Sequence, residues 1–436
     1  MSSGVLRAIV LGGGVAGIAA ALGLRDLGLQ VTLLESHGWL GGRTFSFVDR
    51  HSARRLDNGP HVMLGCYRAM RTLLRRLGTE PYFAAAQSLT VAYRTNQGQR
   101  ARLALGRLPV PLSMPFALWK MPWPLRQRLA ALRGLGALLR PANSEWTLAH
   151  WLQQHGQMGA PAEWLWQPLC RAIMNVEPHE ASALVFQATM REAFFGSAAT
   201  GAFWIPQRPW GEIVGEAAVR VLADEGIDVQ LHARVSGLTV AGQRITALDL
   251  GSGRRLDIGA DTEVVSALPW HALAPLLGGS PPFAQLASAP LVSAYFAIDD
   301  AQAPPDEGLL TALVAGEPFH FLYRTPGARR GEFALLAGGC RQLDGCKVAE
   351  IEAQALTQMA RHYPEIELRS ASVRISKEAR ATIVAAPGAA AMRPAPGRLA
   401  FGPRNLRVCG DWTAVGLPST LEGAARSAEQ LLASFR

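Results

Sequence analysis

The stretch Val5-Leu6-Arg7-Ala8-Ile9-Val10-Leu11-Gly12-Gly13-Gly14-Val15-Ala16-Gly17 predicts a short buried strand that runs straight into a glycine turn. Small apolar residues follow from Ile18 to Leu24 and predict a helix; Gln30-Val31-Thr32-Leu33-Leu34 predicts a second strand, closed by Glu35 and Ser36. Strand, G-x-G-x-x-G turn, helix, strand and acid together make a dinucleotide-binding unit. Gly12 permits the tight turn, Gly14 lets backbone approach a pyrophosphate, and Gly17 lets the helix lie close on the sheet. Val15 and Ala16 open the helix, where unpaired N–H groups and a partial positive charge face the phosphates. Glu35 ends the second strand, within reach of an adenosine ribose. A glycine turn in an empty α/β unit is the competing reading, and the flanking strands with their terminal acid argue against it.

Ala8 to Leu24 is uncharged and flanked by Arg7 and Arg25, which superficially suits a signal or membrane segment. The run is shorter than the roughly 18–20 residues a span needs, and no small-residue cleavage pattern follows in register. The expectation is a cytoplasmic protein.

The chain has 436 residues, enough for two or three domains' worth of core, and nearly half are apolar. Its formal charge of +9 is carried mainly by arginine, with lysine only at 120, 347 and 377. The arginines look dispersed along the chain, so nucleic acid is not an expected partner, whereas an anionic membrane surface is. Cys66, Cys170, Cys340, Cys346 and Cys409 form no CxxC pair and no zinc pattern, so no metal is expected and the thiols read as reduced.

After Glu35 comes Gly38-Trp39-Leu40-Gly41-Gly42-Arg43. Gly41 and Gly42 let backbone fold over a diphosphate, and Arg43 offers it charge and hydrogen bonds. Eight residues beyond a ribose-binding acid, this order points to FAD. It resembles the flavin amine oxidase and phytoene desaturase superfamily.

Leu56-Asp57-Asn58-Gly59-Pro60-His61-Val62-Met63-Leu64-Gly65-Cys66-Tyr67 is turn chemistry leading into buried structure. It is similar to the LDNG-x-H-x-x-LG-x-Y stretch of the hydroxysqualene dehydroxylases, where Gln is more usual than Pro60. Asn58 and Gly59 then stand beside the flavin, and His61 is the first candidate for a proton donor, with a structural role as its competitor. Arg68 to Leu77 reads as an amphipathic helix with Leu73, Leu74 and Leu77 inward.

Residues 81 to 210 lack an alternating strand–helix rhythm and read as a substrate-side insertion. Within it, Leu125, Leu129, Leu132, Leu135 and Leu139 recur at helical steps among arginines, next to Trp119 and Trp123. This suits either a helix packed on the core or one that lies on a membrane. Beyond a helix from Gly211 to Gly226, Val229 to Val235 reads as one strand. Further strands are expected around 245–250, 255–258, 263–269, 292–298, 319–323 and 333–337, a helix at 348–362, and a loop at 385–396.

Near the C-terminus, a strand runs through Val408 and Cys409 to Gly410-Asp411-Trp412, and Gly416-Leu417-Pro418-Ser419-Thr420-Leu421-Glu422-Gly423-Ala424 opens a last helix. Asp411 suits the flavin's ribitol or pyrophosphate. Thr420 and Leu421 place helix N–H groups toward the flavin ring, and Ser419-x-x-Glu422 fits a capping box. This ending is also similar to the dehydroxylases, so the resemblance spans the chain. In the superfamily a valine at the position of Val235 contacts adenine through its backbone, and the resemblance carries that role here.

The expected class is α/β, with a Rossmann-type FAD-binding domain (1–80, 211–290 and 398–436) and a discontinuous α+β substrate domain (81–210 and 291–397). The resemblance implies reduction of hydroxysqualene to squalene, a hydrophobic C30 isoprenoid substrate, a separate electron donor, and a position on the inner face of the cytoplasmic membrane. A carotenoid desaturase or isomerase and a non-enzymatic prenyl-binding escort are the alternatives.

Overall fold

The computed structural model describes residues 6–50 and 52–435, so Val5 lies outside the described residues. Strand β1 (Arg7–Leu11) feeds helix α1 (Val15–Asp26), which returns to β2 (Gln30–Leu34). The same sheet contains β3 (Asp228–Gln230), β4 (Thr262–Ser266), β5 (Gly397–Arg398) and β6 (Leu406–Val408), in the order β3-β2-β1-β4-β6-β5. All neighbours are parallel except β5 and β6. β1 is buried from Ala8 to Leu11 and β4 throughout, as expected of parallel strands covered on both faces.

The carboxyl ends of β2, β1, β4 and β6 line up along one edge, which carries Glu35, Gly12, Ala267 and Cys409. This is where open parallel sheets bind ligands. One layer over the sheet is α1, whose buried residues include Ala16, Gly17, Ala20 and Ala21. Such small side chains let its axis lie close to the strands.

A second, seven-stranded sheet is ordered Ser372–Ile383, Ser288–Ala297, Glu332–Gly338, Phe321–Arg324, Leu310–Val314, Thr90–Thr95 and Arg100–Ala104. Thr90–Thr95 and Arg100–Ala104 were not expected from sequence. Arginine at 94, 100 and 102 breaks the apolar alternation, and Arg94 is nonetheless buried because it pairs with Glu307 and Glu365. The helix Val348–His362 matches its expected bounds.

Helix α2 (Arg68–Arg76) buries Leu73 and Leu74 as its period requires. α3 (Val110–Trp119) and α4 (Leu125–Ala137) follow, each preceded by a proline, at 109 and 124, whose fixed φ is preorganised for a helix start. α5 (Gln167–Met174), α6 (Ala183–Phe194) and α7 (Leu421–Ala433) complete the helices used below. Trp151, Trp164, Trp166, Phe186 and Phe194 form a buried aromatic core between α3–α4 and α5–α6. Trp210 belongs to the other core, with α1, α2 and α7.

The expected strand from Val229 to Val235 is interrupted. β3 ends at Gln230, His232 adopts φ 55°, and Val235 begins a separate three-stranded antiparallel sheet. His232 N–H donates to the His37 carbonyl and Ala233 N–H to the Glu35 carbonyl. The chain therefore wraps around the end of β2, a tertiary demand that outweighs the β propensity of the residues.

Candidate functional site

The glycine turn is built by contacts that admit no side chain. Gly12 has φ 99°, and a Cβ on Gly17 would stand 1.8 Å from the Gly12 carbonyl oxygen. The turn around Gly41 docks on this loop: Gly41 N–H donates to the Gly13 carbonyl at 2.8 Å, and Gly14 bridges Gly41. Gly41 and Gly42 both have positive φ, and a Cβ on Gly42 would meet the Gly14 Cα at 3.0 Å. Gly14, at the start of α1, supplies no capping side chain, and the first turn holds no acid. The N–H groups of Val15, Ala16 and Gly17 thus open on an uncapped helix end, a cradle suited to a diphosphate.

Glu35 is fixed at one side of this cradle. Its Oε2 accepts from Gly13 N–H at 2.7 Å; its Oε1 accepts from His37 N–H at 2.8 Å and from the Ser36 hydroxyl at 2.9 Å. Burial alone would raise its pKa, but these hydrogen bonds outweigh that and hold the carboxylate below its ordinary range. An oriented, ionised acceptor at the end of β2 is what ribose hydroxyls require. Val235 begins its strand two residues past the Ala233–Glu35 contact.

At the other side, Arg43 Nη2 donates to Asp411 Oδ1 at 2.7 Å, and Arg43 also reaches the Ala381 carbonyl. Burial opposes the guanidinium charge, while the Asp411 charge and hydrogen bond restore it, leaving the Arg43 pKa raised. Both residues were expected to face a ligand; in the structure they also pair with each other. Asp411 follows Gly410, whose φ of 139° turns the chain off β6 and whose N–H donates to the Ser427 hydroxyl.

The Asp411–Leu417 loop is held by a residue that sequence reading missed. Arg393 is 8% exposed and donates to the carbonyls of Trp412, Leu417, Asp411 and Thr413. Burial pushes its pKa down to about 10, with Asp411 opposing. It lies in the Ala/Pro stretch expected to be a loop, where a lone arginine gives no periodic signal.

Thr420 caps α7 by accepting from Gly423 N–H, leaving Leu421 at the first helical position. The expected Ser419–Glu422 capping box does not form. Ser419 accepts from Ile383 N–H, and Glu422 reaches away to accept from the N–H groups of Ala69 and Met70 at the start of α2. Its role is structural, as expected, but on another helix.

Asn58 hydrogen-bonds Ser376 and Glu378, and Gly59 packs against Leu291, so both join the glycine-turn region to the larger sheet. The His61 and Trp210 rings pack edge to face, with centroids 5.7 Å apart, while the His61 carbonyl accepts from the Trp210 indole. Burial pushes the imidazole pKa down to about 4, the Arg43 charge adding to this and a hydrogen bond to Arg43 backbone opposing it. His61 is therefore neutral near pH 7 and holds no imidazolium proton to give. Its geometry fits the structural alternative.

Beside Thr420 is a narrow cavity whose lining joins the apolar Leu64, Ile173, Ala193 and Leu417 to Tyr67, Cys66, Thr189 and the carboxylates of Glu192 and Glu422. Burial raises the Tyr67 pKa well above that of a free phenol, with the Cys66, Glu422 and Glu192 charges adding to it. The phenol keeps its proton.

Taken together, the uncapped α1 terminus, the oriented Glu35 carboxylate and the Arg43–Asp411 pair fit an FAD laid along the carboxyl edge of the sheet. Among the described residues, no cluster of His, Cys, Asp and Glu could hold a metal ion.

Comparison with known proteins agrees with this fit. The profile of the flavin containing amine oxidoreductase family matches residues 15–430. The chain is 29% identical to the hydroxysqualene dehydroxylase of Rhodopseudomonas palustris, covering 96% of this chain and 95% of that one. It is 28% identical to the protein of the same name from Sinorhizobium fredii, at the same coverages. A redesigned putrescine oxidase superposes with a TM-score of 0.72 at 16% identity, covering 98% of both chains.

Proposed function

The chain belongs to the flavin containing amine oxidoreductase family, and on that premise we propose that this FAD-dependent enzyme reduces hydroxysqualene to squalene. The observation that carries the substrate is the likeness, over 96% of the chain, to proteins named for that reaction. Residues 1–80, 211–290 and 398–436 form the FAD-binding domain in this reading, and 81–210 and 291–397 the substrate domain.

In the balanced reaction the allylic C–O bond breaks, the oxygen leaves as water with one proton, and a hydride replaces it on carbon. When bound in its two-electron-reduced form, FAD would supply both the hydride and the proton that the leaving water takes up, and a separate electron donor would have to restore it. Glu35 would hold the adenosine end of the cofactor, the α1 terminus and Arg43 its diphosphate, and Asp411 its ribitol side. Arg393 keeps the Asp411–Leu417 loop in register, and the N-terminus of α7 at Thr420 and Leu421 would offer N–H groups to the negative charge of the reduced ring.

Leu64, Ile173, Ala193 and Leu417 exclude water that would otherwise recapture an allylic cation. Tyr67, protonated and facing the same cavity, replaces His61 as the donor of a hydrogen bond to the departing hydroxyl. The cavity is narrow, so a thirty-carbon chain requires α5 and α6, which carry Ile173 and Ala193, to part.

Moving such a chain through water would cost on the order of 20 kcal/mol at about 0.8 kcal/mol per CH₂. Delivery from a bilayer avoids that barrier, and we place the enzyme on the cytoplasmic membrane's inner face. Among the described residues no helix is long and apolar enough to cross a membrane. Incubation of the reduced protein with hydroxysqualene and, separately, phytoene tests the assignment. Squalene from the first and no product from the second is expected; desaturation or isomerisation of phytoene instead would favour the carotenoid enzymes.

A further inference from the structure

The charge of this protein is not dispersed. Residues 81–144 hold nine Lys and Arg and no Asp or Glu, so the rest of the chain, with 34 basic and 34 acidic residues, is neutral. Helices α3 and α4 lie within this segment.

α3 turns Leu112, Phe116 and Trp119 to solvent, at 58%, 68% and 56% exposure, and their spacing places them on one stripe. Its opposite face, including Val110, Met114 and Leu118, packs into the aromatic core, which also contains Cys66 and Ala193 of the cavity wall. α4 reverses the pattern of a core-packed helix. It buries Ala131 and Gly134 while leaving Leu125 and Leu129 exposed. The leucine period seen in sequence thus points partly outward. Arg128 lies 5.4 Å from the Trp119 ring centroid and joins the two helices, and Lys120, Arg126 and Arg133 stand exposed around them.

We propose that α3 and the first half of α4 form a docking surface for an anionic phospholipid bilayer. Large apolar side chains enter the acyl boundary while the cations meet headgroup phosphates, so one partner satisfies both features. A second copy would oppose cation to cation, and nucleic acid would leave the apolar stripe uncovered. The surface gains its purpose from the lipid-substrate reading, but its binding chemistry stands apart from it.

The test is co-sedimentation of the full-length, FAD-loaded protein with phosphatidylcholine vesicles, with and without phosphatidylglycerol. The paired variants Phe116→Ser/Trp119→Ser and Arg126→Glu/Arg133→Glu are compared with the parent, and unchanged flavin absorbance reports that they fold. Binding should require phosphatidylglycerol, weaken with salt, and fall about tenfold or more in each variant. Failure of the parent to bind, or binding unchanged in both variants, would overturn the proposal. So would a parent dimer that Phe116→Ser dissociates without any vesicle binding. Turnover of detergent-dispersed hydroxysqualene separates the two readings. Vesicle binding without turnover contradicts the catalytic assignment alone, and turnover without vesicle binding contradicts the docking surface alone.

Discussion

Arg43 and Asp411, 368 positions apart in sequence, meet through a 2.7 Å hydrogen bond that closes the site between its first and last segments. Each orients the other for the cofactor, so neither acts alone. Arg43→Met and Asp411→Asn should each lower FAD affinity about tenfold or more, and the double variant should lose less than the sum of the two. Flavin retention on dialysis and titration of the apoprotein check this; additive losses would mean independent roles.

Gly17→Ala should abolish FAD binding. Its Cβ would stand 1.8 Å from the Gly12 carbonyl oxygen, and only displacement of the glycine turn or of α1 relieves that. Absorbance of the purified variant is the measurement, with circular dichroism reporting whether the remaining fold persists.

Arg393→Met would remove a donor from four carbonyls, of which Thr413's keeps the Val415 N–H. Loss of one buried charged partner with several acceptors is expected to destabilise by about 3–5 kcal/mol. Arg393→Lys should recover little, because an ammonium cannot reproduce the planar fork. Denaturant unfolding of the three proteins compares them.

His61 should act through stability rather than as an acid. Its folded pKa is depressed to about 4, so its contribution is complete above the unfolded value near 6.5 and is lost as pH falls toward 4. His61→Gln should flatten the fall in stability over that window while leaving turnover at pH 7 within a few-fold of the parent. An imidazolium acid would instead make turnover collapse.

Tyr67→Phe should reduce turnover about 100-fold with FAD binding unchanged, since Tyr67 lines the cavity beside Thr420 and is not among the residues of the diphosphate cradle.

The parallel sheet and its ligand edge were legible in sequence because local signals carried them. The apolar run to Leu11, the glycine spacing and Glu35 each demand one geometry. What escaped depends on partners distant in the chain. Arg393 is silent until the loop after β6 wraps around it, and Glu422 fits its own helix's capping pattern yet is claimed by α2. The break after Gln230 is imposed by the end of β2. For α4, periodicity reported a leucine stripe but not which way it faced, because small residues such as Gly134 made the buried contact.

The most direct test of the account is anaerobic incubation of the dithionite-reduced, FAD-loaded protein with hydroxysqualene, followed by chromatography. Squalene should form in amounts set by the reduced flavin present, with none from the oxidised protein. Unchanged hydroxysqualene in both samples, with the flavin fully bound and reduced, would contradict it.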